Sequence, residues 1–262
     1  DLSVGSRFKR VARLQGLSLP IGLLFLVNQY LHDPRRYGRW VFAALAVPMG
    51  LAFVLTVGRG MWVAFAIGLV VSILLRYTRS GGHRRRVGRA VMLVFGVLLL
   101  WGTTVFLFQR VTGAAIGAHA LERSRTFVDF ERDVHVLGRL QSYRLALEAF
   151  AEHPVTGLGQ GTTIDVPMFN EDMKRFENMT TWTLDSLYLS LLVKSGLIGT
   201  LAFLWLLWSV LRLARETYKN AVDPNARAFA AAATAVIIAM AALGVSDGSM
   251  VNGRFALVYA TL

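Results

Sequence analysis

The most restrictive feature of this chain is a run of 36 residues, from Trp40 to Leu75, whose one formal charge is Arg59. As a single helix the run would be about 54 Å long, whereas the hydrocarbon core of a bilayer is about 30 Å thick. It must therefore fold back on itself. Gly58 and Gly60 flank the arginine and supply the backbone freedom that a tight reversal needs. The pattern predicts a hairpin of two membrane helices with Arg59 at its tip.

The rest of the chain belongs to the same class. Hydrophobic residues make up 55% of it and charged residues only 17%, which is typical of an integral membrane protein. The ten-residue alternation of membrane barrel strands is absent, so the spans are helical. We therefore expect an all-α, multi-span helical bundle. Further windows without formal charge lie at Leu14–His32, Ala90–Gln109, Ser195–Leu211 and Ala228–Ser246.

The net charge of +12 does not indicate a nucleic-acid partner, because most of the basic residues lie between the apolar windows. The chain contains no cysteine, which excludes a disulfide framework and a thiolate site. It begins at Asp1 and stops within another apolar stretch, "ALVYATL". We therefore expect a segment of a longer membrane protein.

The basic loops predict the orientation. The densest one, "RYTRSGGHRRRVGR" at 76–89, contains no acid and is cytoplasmic by the positive-inside rule. Alternation of the spans then places the basic loops at 32–39 and 212–227 on the same side. It places Arg59 and residues 110–185 on the outer side. The basic segment Arg7–Arg13 also falls outside, as the one exception to the rule.

The outer segment 110–185 is the expected place for chemistry, because long ordered loops usually have a function. It contains 11 of the 16 acids of the chain. We accordingly expect three parts: a membrane part of about four spans at 1–109, a periplasmic loop at 110–185, and a membrane part of about three spans at 186–262.

Within this loop, "GRLQSYRLALEAFAEHPVTGLGQG" at 138–161 predicts an amphipathic helix that Pro154 ends. The three glycines that follow, Gly157, Gly159 and Gly161, permit exposed amides that can hold a phosphate oxygen. A flexible connection after a helix explains the same glycines.

Two arginines of this helix, Arg139 and Arg144, could bind an anionic ligand. Alternatively they form surface ion pairs, because Glu148 and Glu152 stand at spacings that suit such pairs. The segment "EDMKRFE" at 171–177 alternates in charge like the solvated face of a helix. The histidines of the loop lack metal-ligand spacing, so we expect no metal site.

The chain returns to the membrane after Asp185. One continuous helix from Asp185 to Leu211 would be about 40 Å long, so we expect a division at Ser195 and Gly196. Asp185 then marks the top of the first part, where capping of the helix is the alternative to a catalytic role.

Three segments, taken in order, resemble the bacterial O-antigen ligase and polymerase family. They are "VLTVGRGMW" at 54–62, "GRLQSYRLALEAFAEHPVTGLGQG" at 138–161 and "LDSLYLSLLVKSGLIG" at 184–199. The sequence departs from the family pattern at Gly58, Asp185, Ser186 and Lys194, where the usual residues are serine, histidine in ligases, asparagine and glutamate. Both ligase and polymerase therefore stay open.

The resemblance implies transfer of a glycan from a polyprenyl-pyrophosphate donor to lipid A core or to a glycan acceptor, at the periplasmic face of the bacterial inner membrane. It implies that Asp185 is the general base and that Arg59 and Arg139, with Arg144 as a lesser candidate, bind the pyrophosphate. We expect inversion at the anomeric carbon, without a metal or a cofactor. The alternative is a multi-span transporter, for which polar residues inside the spans are few.

Overall fold

Most of the predicted membrane segments and the C-terminal half of the predicted loop are described by a computed structural model. It describes residues 18–33, 38–55, 59–78, 134–170, 175–181, 184, 186–245 and 247. The elements in these ranges are α1 (Ser18–His32), α2 (Arg39–Leu55), α3 (Arg59–Thr78), α4 (Val134–Glu152), β1 (Ile164–Asn170), β2 (Arg175–Thr181), α5 (Leu187–Asn220) and α6 (Pro224–Leu243).

Several predicted features lie outside the described residues. They are the predicted span Ala90–Gln109, the basic segments at 7–13 and 79–89, the predicted catalytic Asp185, and the side chains of Arg59 and Arg139.

Three of the described helices are long and apolar enough to cross a membrane. The spanning stretches are Gly60–Tyr77, Leu187–Asn220 and Pro224–Leu243, and a shorter apolar helix covers Arg39–Phe53. Helical membrane spans are the architecture expected from the apolar windows, because a helix satisfies its own backbone hydrogen bonds in lipid.

The long apolar run folds back as predicted. Helix α2 ends at Leu55 and α3 begins at Arg59. The rings of Phe53 and Phe65, one on each helix, pack with their centroids 5.2 Å apart. Both rings lie near the turn, so this contact brings the two helices together there, with Arg59 at the first position of the second helix.

The described residues between 18 and 78 form one compact unit with Trp208–Leu243, which we call the helical unit. In it, α6 packs against both α1 and α3. Most of the buried residues of α6 are alanines, and small residues let membrane helices approach closely. At one point of close approach, a Cβ added to Gly68 of α3 would lie 2.7 Å from a methyl carbon of Leu24 and 3.2 Å from Cβ of Ala239.

Polar side chains also connect the helices of this unit. Asn28 of α1 donates from Nδ2 to Oγ of Ser72 on α3, at 2.8 Å, and both residues are fully buried. Tyr218 of α5 donates from its hydroxyl to the carbonyl oxygen of Leu75 at 2.5 Å. Nε2 of His32 lies 3.3 Å from the same hydroxyl. These contacts connect α1, α3 and α5 near the ends of the helices.

The described residues between 134 and 207 form a second unit with those from Gly244, which we call the loop unit. Helix α4 packs on β1. Their common core contains Ala146 of α4, Val166 of β1 and Val193 of α5, together with Leu184 of the segment before α5. The predicted amphipathic helix is thus present and ends at Glu152, two residues before Pro154.

The loop unit also corrects the expected all-α fold. Strands β1 and β2 form an antiparallel hairpin in which Ile164 pairs with Thr181. Residues Arg175–Glu177 belong to β2, so a helix over 171–177 is wrong. The alternating charges suggested a solvated helix face, but pairing with β1 and burial of Val166, 2% exposed, decide the local structure.

Candidate functional site

The clearest feature of the loop unit is a break in α5. This element has 34 residues, but Gly196 has φ 62° and ψ −164°, so the helix consists of two segments that meet there. That backbone conformation is accessible essentially only to glycine. A break within an apolar helix leaves carbonyls of the first segment and amides of the second without their usual partners. The predicted division at Ser195 and Gly196 is confirmed.

The glycine segment after α4 supplies hydrogen-bond donors to the first segment of α5. The amide of Leu158 donates to the carbonyl oxygen of Val193 at 2.8 Å. The amide of Gly159 donates to the carbonyl oxygen of Lys194 at 3.0 Å. Two of the carbonyls that the break leaves free are thereby satisfied.

The same segment supplies acceptors to the second segment of α5. The amide of Leu197 donates to the carbonyl oxygen of Pro154 at 2.9 Å, and that of Ile198 donates to Val155 at 3.3 Å. The break is therefore closed from both sides by main-chain hydrogen bonds from one short loop. We call residues 154–159, together with Val193–Ile198, the interlock.

Side chains add to the interlock at its edge. Nε2 of Gln160 donates to Oγ of Ser195 at 2.9 Å. The hydroxyl of Thr162 donates to the carbonyl oxygen of Leu158 at 2.7 Å. The loop between α4 and β1 is thus fixed to the break rather than being a flexible connection.

The predicted phosphate-binding glycines have defined roles in this arrangement. The amide of Gly157 donates to the carbonyl oxygen of His153 at 2.9 Å, and that of Gly159 is the one bound to Lys194. Both amides are therefore engaged within the chain. Gly161 has open space around the position of a Cβ. Phosphate binding by this segment stays a prediction, and Gly157 or Gly159 would have to exchange a hydrogen bond to take part in it.

The chain around Asp185 is also anchored. Before it, the amide of Leu184 donates to Oγ of Ser190 at 3.1 Å. After it, the amide of Leu187 donates to the carbonyl oxygen of Gly244 at 2.8 Å. The amide of Ser190 donates to the carbonyl oxygen of Ser186 at 3.0 Å, so Ser186 occupies the N-cap position of α5. Asp185 precedes the cap by one residue.

The predicted arginines fall in different parts of the chain. Arg59 begins α3 in the helical unit, whereas Arg139 and Arg144 lie on α4 in the loop unit. Arg144 is exposed, and its Nε donates to a carboxylate oxygen of Glu148 at 2.9 Å. This is the surface pair that the spacing offered as the alternative to pyrophosphate binding. The features that the described residues bring together are the glycine segment and the break of α5.

One buried charge was not recognised as a candidate from the sequence. Lys194 lies in the first segment of α5 and is only 7% exposed. On this segment it shares a face with Ser190, which is 1% exposed. A signal was present in the sequence, because Lys194 is the one charged residue between Leu187 and Leu211.

The matched region of a known family covers this site. A family model described as O-antigen ligase matches residues 44–204, more than half of the 262 residues of the chain. The match includes the hairpin at Arg59, helix α4, the glycine segment and the break of α5. Curated proteins gave no match. The apolar helices and the family agree in identifying an integral membrane protein. The chain belongs to the O-antigen ligase family.

Proposed function

We propose that the protein transfers a glycan from a polyprenyl-pyrophosphate donor to a hydroxyl acceptor, at the periplasmic face of the bacterial inner membrane. The observation that carries this proposal is the family match over 44–204, which takes in every predicted site residue. The acceptor is lipid A core, as for a ligase, or a glycan chain, as for a polymerase.

The interlock supports the proposal because glycosyl transfer needs groups that are held in place before the substrate arrives. Its four main-chain hydrogen bonds join the chain after α4 to the two segments of α5. They fix helix α4, which carries Arg139, and the helix that begins just after Asp185 within one unit. A rigid support of this kind restricts the positions that both residues can adopt.

The outward orientation rests on the basic loops. The described part of these loops includes Arg76 at the end of α3 and the segment at 212–227. Because positive loops stay in the cytoplasm, we propose that Arg59, at the opposite end of α3, lies outside. There a lipid-linked pyrophosphate would meet it at the interface.

In the proposed reaction, the acceptor hydroxyl oxygen attacks the anomeric carbon from the face opposite the pyrophosphate. Asp185 takes the hydroxyl proton as general base. The bond between the anomeric carbon and the pyrophosphate oxygen breaks, and its electron pair leaves with the lipid pyrophosphate. The product has the inverted anomeric configuration.

The leaving group gains negative charge in this step, and Arg59 and Arg139 are proposed to stabilise it. Guanidinium groups bind phosphate oxygens in a bidentate manner, and they are worth more where water is scarce. Two cations can replace a metal ion in this role, so we propose a metal-independent enzyme. Arg144 is the weaker candidate, because Glu148 already occupies its guanidinium.

The test is glycan transfer by the full-length protein in proteoliposomes with a polyprenyl-pyrophosphate glycan and a hydroxyl acceptor. Arg59→Ala and Asp185→Asn should each lower kcat at least a hundredfold without loss of folded protein. The matched controls are Arg212→Ala and Glu216→Gln, which alter an exposed pair on α5 and should retain activity. Wild-type protein that takes up a solute but transfers no glycan would overturn the proposal.

A further inference from the structure

Lys194 presents a physical problem that the proposed roles leave open. Lys194 is only 7% exposed. Among the described residues, no carboxylate pairs with its ammonium, and no hydrogen bond from the ammonium is found. A buried charge without a partner is costly, because the hydration it loses is not replaced. An unpaired ammonium at such a position therefore needs a reason.

Two structural explanations are weak. A lysine can extend along apolar surface and keep its ammonium in water, but this leaves the end of the side chain exposed. With only 7% of the residue exposed, the ammonium of Lys194 has little of the hydration that this geometry would give it. The carbonyl oxygens of Val193 and Lys194, at the end of the first segment of α5, could also stand in for a carboxylate, but each already accepts an amide of the glycine segment and is less able to do so.

The position of Lys194 is fixed by the interlock. Its carbonyl oxygen accepts the amide of Gly159 at 3.0 Å. Next to it, Val193 belongs to the core of the loop unit. The backbone that carries the lysine is therefore held in place. The buried face of this helix segment continues from Lys194 toward Ser190 and the start of α5. This is the helix that begins directly after the proposed base, Asp185.

We propose that Lys194 binds an oxyanion of the substrate, an inference that rests on the proposed glycosyl transfer. The oxyanion is either a phosphate oxygen of the lipid pyrophosphate or the carboxylate of an acidic sugar. An ammonium provides a compact point charge and up to three hydrogen-bond donors for such a group. Substrate binding then supplies the partner that the described residues do not.

The proposed role of Lys194 also predicts how its substitution affects stability. Removal of a substrate-binding lysine that is buried and unpaired should not weaken the fold, and an apolar side chain of similar length should fit better. Lys194→Met should therefore keep or raise the thermal midpoint of the protein while it lowers activity. A structural lysine would lower both together.

The experiment compares Lys194→Met and Lys194→Arg in the full-length protein, with Lys219→Met as the matched control. Lys219 is an exposed lysine in the last turn of the same helix. We expect kcat/KM for the donor to fall at least tenfold in Lys194→Met, to stay within threefold in Lys194→Arg, and to be unchanged in Lys219→Met.

Two donor glycans, one neutral and one acidic, identify the oxyanion. If Lys194 binds the pyrophosphate, the loss occurs with both donors, and inorganic pyrophosphate inhibits Lys194→Met at least fivefold less than wild type. If it binds a sugar carboxylate, the loss occurs only with the acidic donor, and inhibition by inorganic pyrophosphate is unchanged.

The inference is overturned if Lys194→Met matches Lys219→Met with both donors. It is also overturned if Lys194→Met and Lys194→Arg both lose thermal midpoint in proportion to activity. In either case the wild type still transfers glycan, and the proposed function stands. A wild type that transfers no glycan at all would instead remove the proposed function.

Discussion

Gly157 and Gly196 approach each other so closely that neither can carry a side chain. A Cβ on Gly157 would lie 2.5 Å from the amide nitrogen of Gly196, and a Cβ on Gly196 would lie 2.6 Å from that of Gly157. Both residues also have positive φ, at 72° and 62°. The contact is main chain against main chain, so no rotamer change can relieve it. The interlock therefore requires glycine at both positions.

We predict that Gly157→Ala and Gly196→Ala each destabilise the protein strongly. The backbone conformation alone should cost about 1–3 kcal/mol, and the overlap with main-chain atoms adds to this. Gly161→Ala is the matched control, because a Cβ there meets open space. Thermal unfolding in detergent should show a clear decrease for the first two variants and little change for the third. Equal thermal midpoints for all three would refute the close contact.

The membrane helices could be predicted from the sequence because their signal is local. A run of apolar residues longer than the bilayer is thick must turn, and the turn at Arg59 follows from that length alone. The division of α5 near Gly196 was predictable by the same reasoning. What closes the break was not predictable, since it depends on hydrogen bonds between segments about 40 residues apart in the sequence.

Non-local contacts also explain what the local sequence patterns could not show. The segment at 175–177 became part of a strand because it pairs with β1, and its alternating charges carry no information about that partner. The glycine pattern likewise does not show that the amide of Gly159 is bound to the carbonyl oxygen of Lys194, and phosphate binding by the glycine segment stays a prediction. Burial of Lys194 depends on packing around α5, and a single charge in an apolar run indicates only that it needs an explanation.

We predict that Arg144→Ala changes stability by less than about 0.5 kcal/mol. The pair with Glu148 is solvent-exposed on both sides, and exposed pairs of this kind contribute little. Thermal unfolding at low and high salt measures the effect, and Arg212→Ala provides a comparable exposed pair. Because stability is unaffected, any loss of glycan transfer in Arg144→Ala can be attributed to substrate contact. A large loss of stability would contradict the surface role of the pair.

We predict that Gly68→Ala destabilises the helical unit, because the added methyl group would overlap with the side chain of Leu24. The added methyl carbon would lie 2.7 Å from a side-chain carbon of Leu24, which has no exposed surface. Leu24→Ala alone should cost about 2–5 kcal/mol through the cavity it creates. In the double variant the new methyl group can use that space, so the combined loss should be smaller than the sum by about 0.5–3 kcal/mol. Gly50→Ala, where a Cβ has no neighbour within 4 Å, is the control. Strict additivity in a thermal unfolding cycle would show that these helices do not meet at Gly68.

We predict that Tyr218→Phe lowers the free energy of unfolding by about 0.5–1.5 kcal/mol for each hydrogen bond it loses. The hydroxyl donates to the carbonyl oxygen of Leu75 and lies 3.3 Å from Nε2 of His32, so it connects α5 to two other helices. Tyr30→Phe is the control, because Tyr30 stacks on Phe42 through its ring, which the substitution retains. A cycle with His32→Ala tests the connection directly. If the hydroxyl joins the three helices, removal of His32 after Tyr218→Phe should cost less than removal of His32 from the wild type. The same cost in both backgrounds would show that His32 and Tyr218 act independently.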